Sequence, residues 1–223
     1  MIPWQELGRA RVPDGDLVLS RRGAEFAIRL RGAELMNSRA HHSEEQLAIL
    51  GCTGLVAGRS GVRVLIGGLG MGFTARAALD TLGTDARITI GELVPEVVEW
   101  NRGPLAELAG RPLEDPRVEV IVGDVGRLIA VARGTYQAIL LDVDNGPDAF
   151  TAPGNANLYG VPGLERARRA LSPGGRLGVW SVADDRAFTG RMRGVGFAVV
   201  RHEIAPHAGS GARHVLWIGT APG

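Results

Sequence analysis

Two hydrophobic periods divide the chain. Up to about residue 38 the apolar positions repeat every second residue in short stretches. In Glu25-Phe26-Ala27-Ile28-Arg29-Leu30, Phe26, Ile28 and Leu30 alternate with other side chains, the mark of a half-buried strand. Asp16-Leu17-Val18-Leu19-Ser20 before it and Glu34-Leu35-Met36 after it read as two more strands, set off by the turn-like Arg21-Arg22-Gly23 and Arg31-Gly32. A small antiparallel β region over residues 1–40 is expected. His42 to Leu50 then starts a helix, with Ser43 as its N-cap, Glu44 and Glu45 favouring the dipole in the first turn, and Gly51 and Gly54 bracketing its end.

From Val62 the pattern changes to short apolar runs separated by helical stretches. Strands are predicted at 62–66, 87–90, 117–122, 136–141 and 176–182, and helices at 74–82, from Pro95 to Asn101, at 125–131 and at 161–170. Leu171-Ser172-Pro173-Gly174-Gly175 reads as the stop of the last helix. Strands alternating with helices imply parallel βαβ units of the usual right hand. The ending differs: the apolar runs at 196–200 and 214–219 are joined by a loop at 205–211, too short for a crossover helix, so they should pair as an antiparallel hairpin at one sheet edge. The expectation is an α/β fold. Residues 41–223 form a Rossmann-like, mostly parallel seven-stranded sheet that ends in an antiparallel hairpin, preceded by the small N-terminal β segment.

Composition narrows the function. The 223 residues, 45% of them hydrophobic, can bury a full core. No segment approaches the roughly 18 unbroken apolar residues of a membrane span, and the first residues lack the basic and apolar regions of an export signal. The single cysteine, Cys52, forms no internal disulfide and fits a reducing cytoplasm. A formal net charge of +1 gives no pull toward nucleic acid or an anionic membrane. The five histidines have no recognised ligand spacing, so no metal is expected. What remains is small-molecule chemistry.

That chemistry concentrates at strand ends. Gly67-Gly68-Leu69-Gly70-Met71-Gly72 joins the first strand of the alternating region to its helix. Gly67, Gly68, Gly70 and Gly72 permit a sharp bend and let a ligand lie against backbone amides. Glu92 closes the next strand, and an acid about 20 residues past such a turn commonly binds both hydroxyls of a ribose. The pair points to a nucleoside-containing cofactor. The glycines fit two registers: Gly68-Leu69-Gly70-Met71-Gly72 is the GxGxG of adenosylmethionine-binding enzymes, whereas Gly70-Met71-Gly72-Phe73-Thr74-Ala75 satisfies the dinucleotide pattern. Gly123-Asp124 with Val125 after the third strand, the Pro-Gly-Gly stop before the fifth strand and the terminal hairpin favour the first. Asp124 would meet the adenine edge, or merely cap the following helix. Asp142 and Asp144 follow the fourth strand. They would face the reacting centre, or simply serve turn chemistry. Trp180 would line the acceptor pocket or the core.

In order and spacing, Val64-Leu65-Ile66-Gly67-Gly68-Leu69-Gly70, Gly91-Glu92-Leu93, Asp115-Pro116-Arg117-Val118-Glu119-Val120 and Leu141-Asp142-Val143-Asp144-Asn145-Gly146-Pro147 resemble the spermidine synthase (polyamine aminopropyltransferase) family within the class I adenosylmethionine-dependent methyltransferase fold. The resemblance covers nearly the whole chain. It implies Asp142 as catalytic aspartate, Glu92 as ribose ligand and Asp124 as adenine ligand. It further implies S-adenosyl-L-methionine or decarboxylated S-adenosylmethionine as cofactor and a small, amine acceptor. The unpaired N-terminal strand edges make a homodimer the expected assembly. Three departures stand out, one of them a shortened acidic motif after the fourth strand. Met71 occupies the place of the family's aspartate in GGGDGG, which binds the aminopropyl amine. Ser43-Glu44 stands where the family has a Tyr-Gln pair that holds the polyamine. Methyl and aminopropyl transfer therefore both stay open, beside a catalytically silent nucleoside-binding module and a nicotinamide-dependent oxidoreductase.

Overall fold

The protein is described from a computed structural model, which places residues 2–55, 61–143, 156–205 and 213–223. Its first sheet is an antiparallel meander of β1 (Gln5–Val12), β2 (Gly15–Arg22), β3 (Glu25–Leu30) and β4 (Ala33–Asn37), in that order. Arg31 at φ 51° and Gly32 at φ 84° make the tight turn into β4, a left-handed conformation that glycine adopts freely and arginine does not. The sequence pattern did not predict β1. Ala10 is its one buried residue, and Glu6, Arg9 and Arg11 give it a charged, non-alternating look. Cross-strand pairing holds it instead, with Arg9 bonded to Asp16 of β2 and, within β1 itself, to Glu6.

Helix α1 (His42–Cys52) follows, longer at its C-terminal end than expected. Ser43 is not its N-cap. His41 holds that position without a side-chain cap bond, and the Ser43 hydroxyl is buried in other contacts. Gly51 does not bracket the helix but lies inside it, where a Cβ would come 2.4 Å from Leu140.

The second sheet contains β5 (Arg63–Gly67), β6 (Arg87–Glu92), β7 (Val118–Val122), β8 (Tyr136–Leu141), β9 (Leu171–Ser181), β10 (Ala198–Ile204) and β11 (His214–Thr220) in the order β10-β11-β9-β8-β5-β6-β7. Strands β5 to β9 run parallel, and β11 pairs antiparallel with β9 and β10. The crossovers are α2 (Phe73–Thr81), α3 (Pro95–Arg102), α4 (Val125–Val131), α5 (Ala156–Tyr159), α6 (Val161–Ala170) and α7 (Arg186–Gly194). The seven-stranded sheet and terminal hairpin are as expected, while most of the hairpin loop lies outside the described residues. Successive side chains of β5 point to opposite faces. Val64 and Ile66 pack with Leu47 of α1 and with Leu19 and Ile28 of the N-terminal sheet, whereas Leu65 packs with Ile129 and Leu164. The meander thus shares one core with one face of the central sheet.

Two local expectations change. Leu171 to Gly175 is not a loop but the start of β9. Tyr136 pairs with Leu171, and the register then jumps so that Ala138 pairs with Arg176, a bulge that absorbs the Pro-Gly-Gly. Helix α7 went unpredicted because Phe188 and Met192 are its only buried residues. Asp185 caps it, accepting from the Ala187 and Phe188 amides at 2.9 and 3.1 Å. No helix among the described residues is long and apolar enough to cross a membrane.

Candidate active site

Strand order reverses at β5, which has β6 on one side and β8 on the other. Such a switch point opens a crevice at the carboxyl ends of the strands, and the chain places its glycine turn there. Gly68, Gly70 and Gly72 take φ of 84°, 52° and 87°. Gly68 is the most constrained: its amide donates to Gly91 O at 2.9 Å, and a Cβ on it would lie 2.5 Å from Asp142 O. Gly67 lies within β5, packed against Leu141 and Val125. The turn is therefore locked between the ends of β6 and β8 and delivers the chain into α2.

Glu92 ends β6 and is 7% exposed. Its carboxylate accepts from the Leu69 amide of the glycine turn and from the Val94 amide, both at 2.8 Å. These bonds fix the acid against the turn it was expected to work with. Asp124 accepts from the Gly126 amide at 2.7 Å and so caps α4. Val125 is buried, with its side chain against Gly67 and Gly91, beneath the strand ends.

Asp142 follows β8. Its amide donates to Gly67 O at 2.9 Å, and its carboxylate accepts from the Thr74 hydroxyl of α2 at 2.7 Å. Asp144 lies outside the described residues. Across from Asp142 stands Glu44, near the start of α1. Burial pushes the Asp142 carboxyl above the ordinary carboxylate range, opposed by the Thr74 bond. Burial and then the Asp142 charge raise Glu44, opposed by its bond from Ser43. Both carboxyls are harder to ionise than ordinary ones, and they titrate as an interacting pair. Glu44 Oε2 lies 2.6 Å from the Ser43 hydroxyl, which also accepts from Trp180 Nε1 at 3.0 Å and lies 2.8 Å from His214 Nδ1. Trp180 and His214 meet edge to face, with ring centroids 4.7 Å apart.

These groups face a cavity of about 350 Å³ between β4 and the glycine turn. Met36 and Leu35 of the meander form one wall, and Leu69 and Met71 the other. Glu34, Glu44 and Asp142 line it, with no Lys or Arg among the described lining residues. Glu92 and Asp124 are not part of that lining; the Leu69 amide connects the two regions. The structure thus brings Asp142 together with the glycine turn and adds Thr74 and His214, which the sequence reading had not singled out as site residues. Thr74 had no signal beyond a polar residue between Phe73 and Ala75 at the start of α2. His214 comes from a strand end 171 positions from Ser43, a pairing that only the fold reveals.

No protein-family model matches the chain. Among curated proteins, the polyamine aminopropyltransferase of Mycobacterium tuberculosis is 28% identical over 199 residues, covering 85% of this chain and 36% of that protein. The polyamine aminopropyltransferase of Corynebacterium efficiens is 33% identical over 170 residues, covering 74% and 31%. The chain spans about a third of the length of these relatives. Among solved structures, the spermidine synthase from Thermotoga maritima superposes with a TM-score of 0.75 at 16% identity, over 96% of this chain and 72% of that one. A spermidine synthase in complex with the transition-state analogue AdoDATO gives 0.73 at 14% identity, with the same coverage. At those identities the structures speak for the fold. The chain is thus similar in sequence to polyamine aminopropyltransferases and in fold to spermidine synthases.

Proposed function

We propose that this chain is a transferase of the spermidine synthase type, moving an alkyl group from a sulfonium-bearing adenosyl donor to a small amine. The observation that carries this reading is the cavity itself: three acidic side chains line it, Asp142, Glu44 and the Arg29-paired Glu34, with no Lys or Arg among the described lining residues, and the first two ionise more readily when a cation is beside them. Ammonium and sulfonium groups are both cations. The donor, when bound, supplies an alkyl group on a thioether leaving group. Glu92 would hold its ribose, Asp124 its adenine edge and the glycine turn its backbone side. An amine attacks only as the free base, so Asp142 orients it and accepts its proton. Thr74 steers the Asp142 carboxylate for that task.

Met71 favours a narrower second reading, methyl transfer from S-adenosyl-L-methionine. An aspartate at this place would attract the donor's amine and repel a donor carboxylate. The buried thioether of Met71 does neither, so selection for the decarboxylated donor is relaxed. A thermal screen with S-adenosylmethionine, its decarboxylated form and methylthioadenosine tests the function. A ligand at 100 times its dissociation constant stabilises by about 2.7 kcal/mol, and mass analysis of an amine panel then reads which group moves. No stabilisation by any of the three, with saturable binding of a reduced nicotinamide dinucleotide, would replace this proposal with an oxidoreductase.

A further inference from the structure

Ser43 sits at the centre of an arrangement whose hydrogen count is restricted. A serine hydroxyl has one proton and two acceptor lone pairs. Trp180 Nε1–H can only donate, so it occupies one lone pair. One proton and one lone pair are left for Glu44 at 2.6 Å and His214 at 2.8 Å. Two arrangements satisfy every bond. In the first, the Glu44 carboxyl is protonated and donates to Ser43, Ser43 donates to His214 Nδ1, and the ring proton is on Nε2. In the second, Glu44 is a carboxylate accepting from Ser43, and His214 donates from Nδ1–H.

We propose that Ser43 and His214 link the proton on Glu44 to solvent, so that Glu44 releases it through them when a cation enters the cavity. This deepens the amine-binding reading and rests on it for the cation. In the step, the Glu44 O–H bond breaks as a new Ser43 O–H forms. The original Ser43 O–H breaks as His214 Nδ1–H forms, and the Nε2 proton passes to water by way of the cavity, whose wall His214 helps to form. One proton leaves, the ring is neutral at both ends, and the reverse step restores the first arrangement when the cation departs. Glu44 thereby meets a cation as a carboxylate, yet does not stand beside Asp142 as a second half-buried charge when the cavity holds none.

Other ionisable groups surround the pair. Asp142 after β8 and Glu34 of β4, the latter paired with Arg29 of β3 at 3.1 Å, share the cavity with Glu44. On α1, Glu45 lies 2.9 Å from His41 Nδ1 and 3.7 Å from His42 Nδ1. Beside His214 are Arg213 in the chain and, on β10, His202, which shares its sheet face, with Glu203 on the opposite face. Among the described residues, Glu44 and His214 are the titratable groups bonded to the Ser43 hydroxyl.

Long-range proton–nitrogen NMR on histidine-labelled full chain reads the tautomer of His214. Above the pH at which the ring becomes neutral, raising pH should move His214 from Nε2–H to Nδ1–H in the ligand-free protein. Adding 1,4-diaminobutane at fixed pH should do the same. In Ser43→Ala the tautomer should stop following pH and diamine, and in Glu44→Gln it should stay constant across pH, which keeps the test alive if one variant fails to fold. A wild-type tautomer that ignores pH, or a Ser43→Ala protein that switches as wild type does, overturns the linkage. If the diamine does not bind while the pH-driven exchange persists, the amine reading falls and the linkage stands.

Discussion

Glu92 and Asp142 occupy matching places at the carboxyl ends of β6 and β8, on either side of β5, yet their surroundings are opposite. Glu92 is held by two backbone amides. Asp142 has one hydroxyl donor, a partly buried place on the cavity wall and a second carboxyl as neighbour. The first environment fixes a carboxylate in place and rigidifies the turn beside it. The second makes the charge costly unless a cation arrives. One sheet edge thus carries a structural clamp and a poised acid, and the difference lies in what the neighbouring segments donate, not in the acids themselves.

The strongest way to break this comparison is Asp142→Asn, which should move two readouts in opposite directions. Under the proposed function, turnover with the true acceptor falls by about 10²–10⁴, the usual worth of a positioned general base. Stability should change the other way. The folded-state affinity of the pair for protons is raised, so the stability it allows is full at low pH and declines as pH rises through the raised range. Asparagine removes part of that decline. The melting temperature of the variant should therefore exceed that of the parent by a margin that grows between pH 5 and pH 9, about the range over which such shifted carboxyls titrate. Unchanged turnover removes the catalytic role, and a flat difference across pH removes the electrostatic one.

Glu92→Gln is the complementary test and should cost stability. Glutamine offers one acceptor oxygen and a donating amino group, so either the Leu69 or the Val94 amide loses its partner. A buried donor left unpaired costs about 1–3 kcal/mol, readable as a lowered denaturation midpoint with an unchanged slope. A change below about 0.5 kcal/mol, as for a surface residue, would mean that Glu92 clamps nothing.

How much of this was legible in the sequence depended on whether the cause was local. The strand–turn–helix at Gly67–Gly72, the acid closing β6 and the hairpin ending rest on short-range period and glycine placement, and the structure has all three. Strand β1 and helix α7 escaped because their stabilising contacts are cross-strand ion pairs and a two-residue apolar anchor, neither of which leaves a period. Ser43 was misread because its place before two acids looks like a cap, whereas its hydroxyl is claimed by Trp180 and His214 from distant strand ends. Glu44 gave a family-level signal, but its pairing with Asp142 follows from α1 packing over the end of β8, which no local rule predicts.

The cavity wall offers a third, smaller test. Met71→Asp would restore an acid beside Glu44 and Asp142. A charged hydrogen bond to the donor's amine, with repulsion of a donor carboxylate, should shift preference toward decarboxylated S-adenosylmethionine by about tenfold, or ~1.4 kcal/mol. Competition between the two donors in a thermal or calorimetric titration measures the ratio. An unaltered ratio would remove Met71 as the selector and leave donor choice elsewhere in the pocket.

Asp124 shows the smallest expected effect and the cleanest separation of two roles. Its carboxylate caps α4 through the Gly126 amide, which is reason enough for an acid there; contact with adenine is a further claim. Asp124→Ala removes both and should cost about 1 kcal/mol of stability through the lost cap. Asp124→Asn separates them. Asparagine is as good an N-cap as aspartate, so its oxygen keeps the Gly126 bond and stability should hold. Its remaining polar group is then an amino donor, which faces the exocyclic amine of adenine donor to donor. Methylthioadenosine carries that amine without the sulfonium charge, so its affinity isolates the contact. If it binds Asp124→Asn as tightly as the parent, Asp124 is a cap alone and the adenine edge lies against other residues. If it binds more weakly while the melting temperature is unchanged, the residue does both, and the clamp side of the sheet extends from Glu92 to the end of β7.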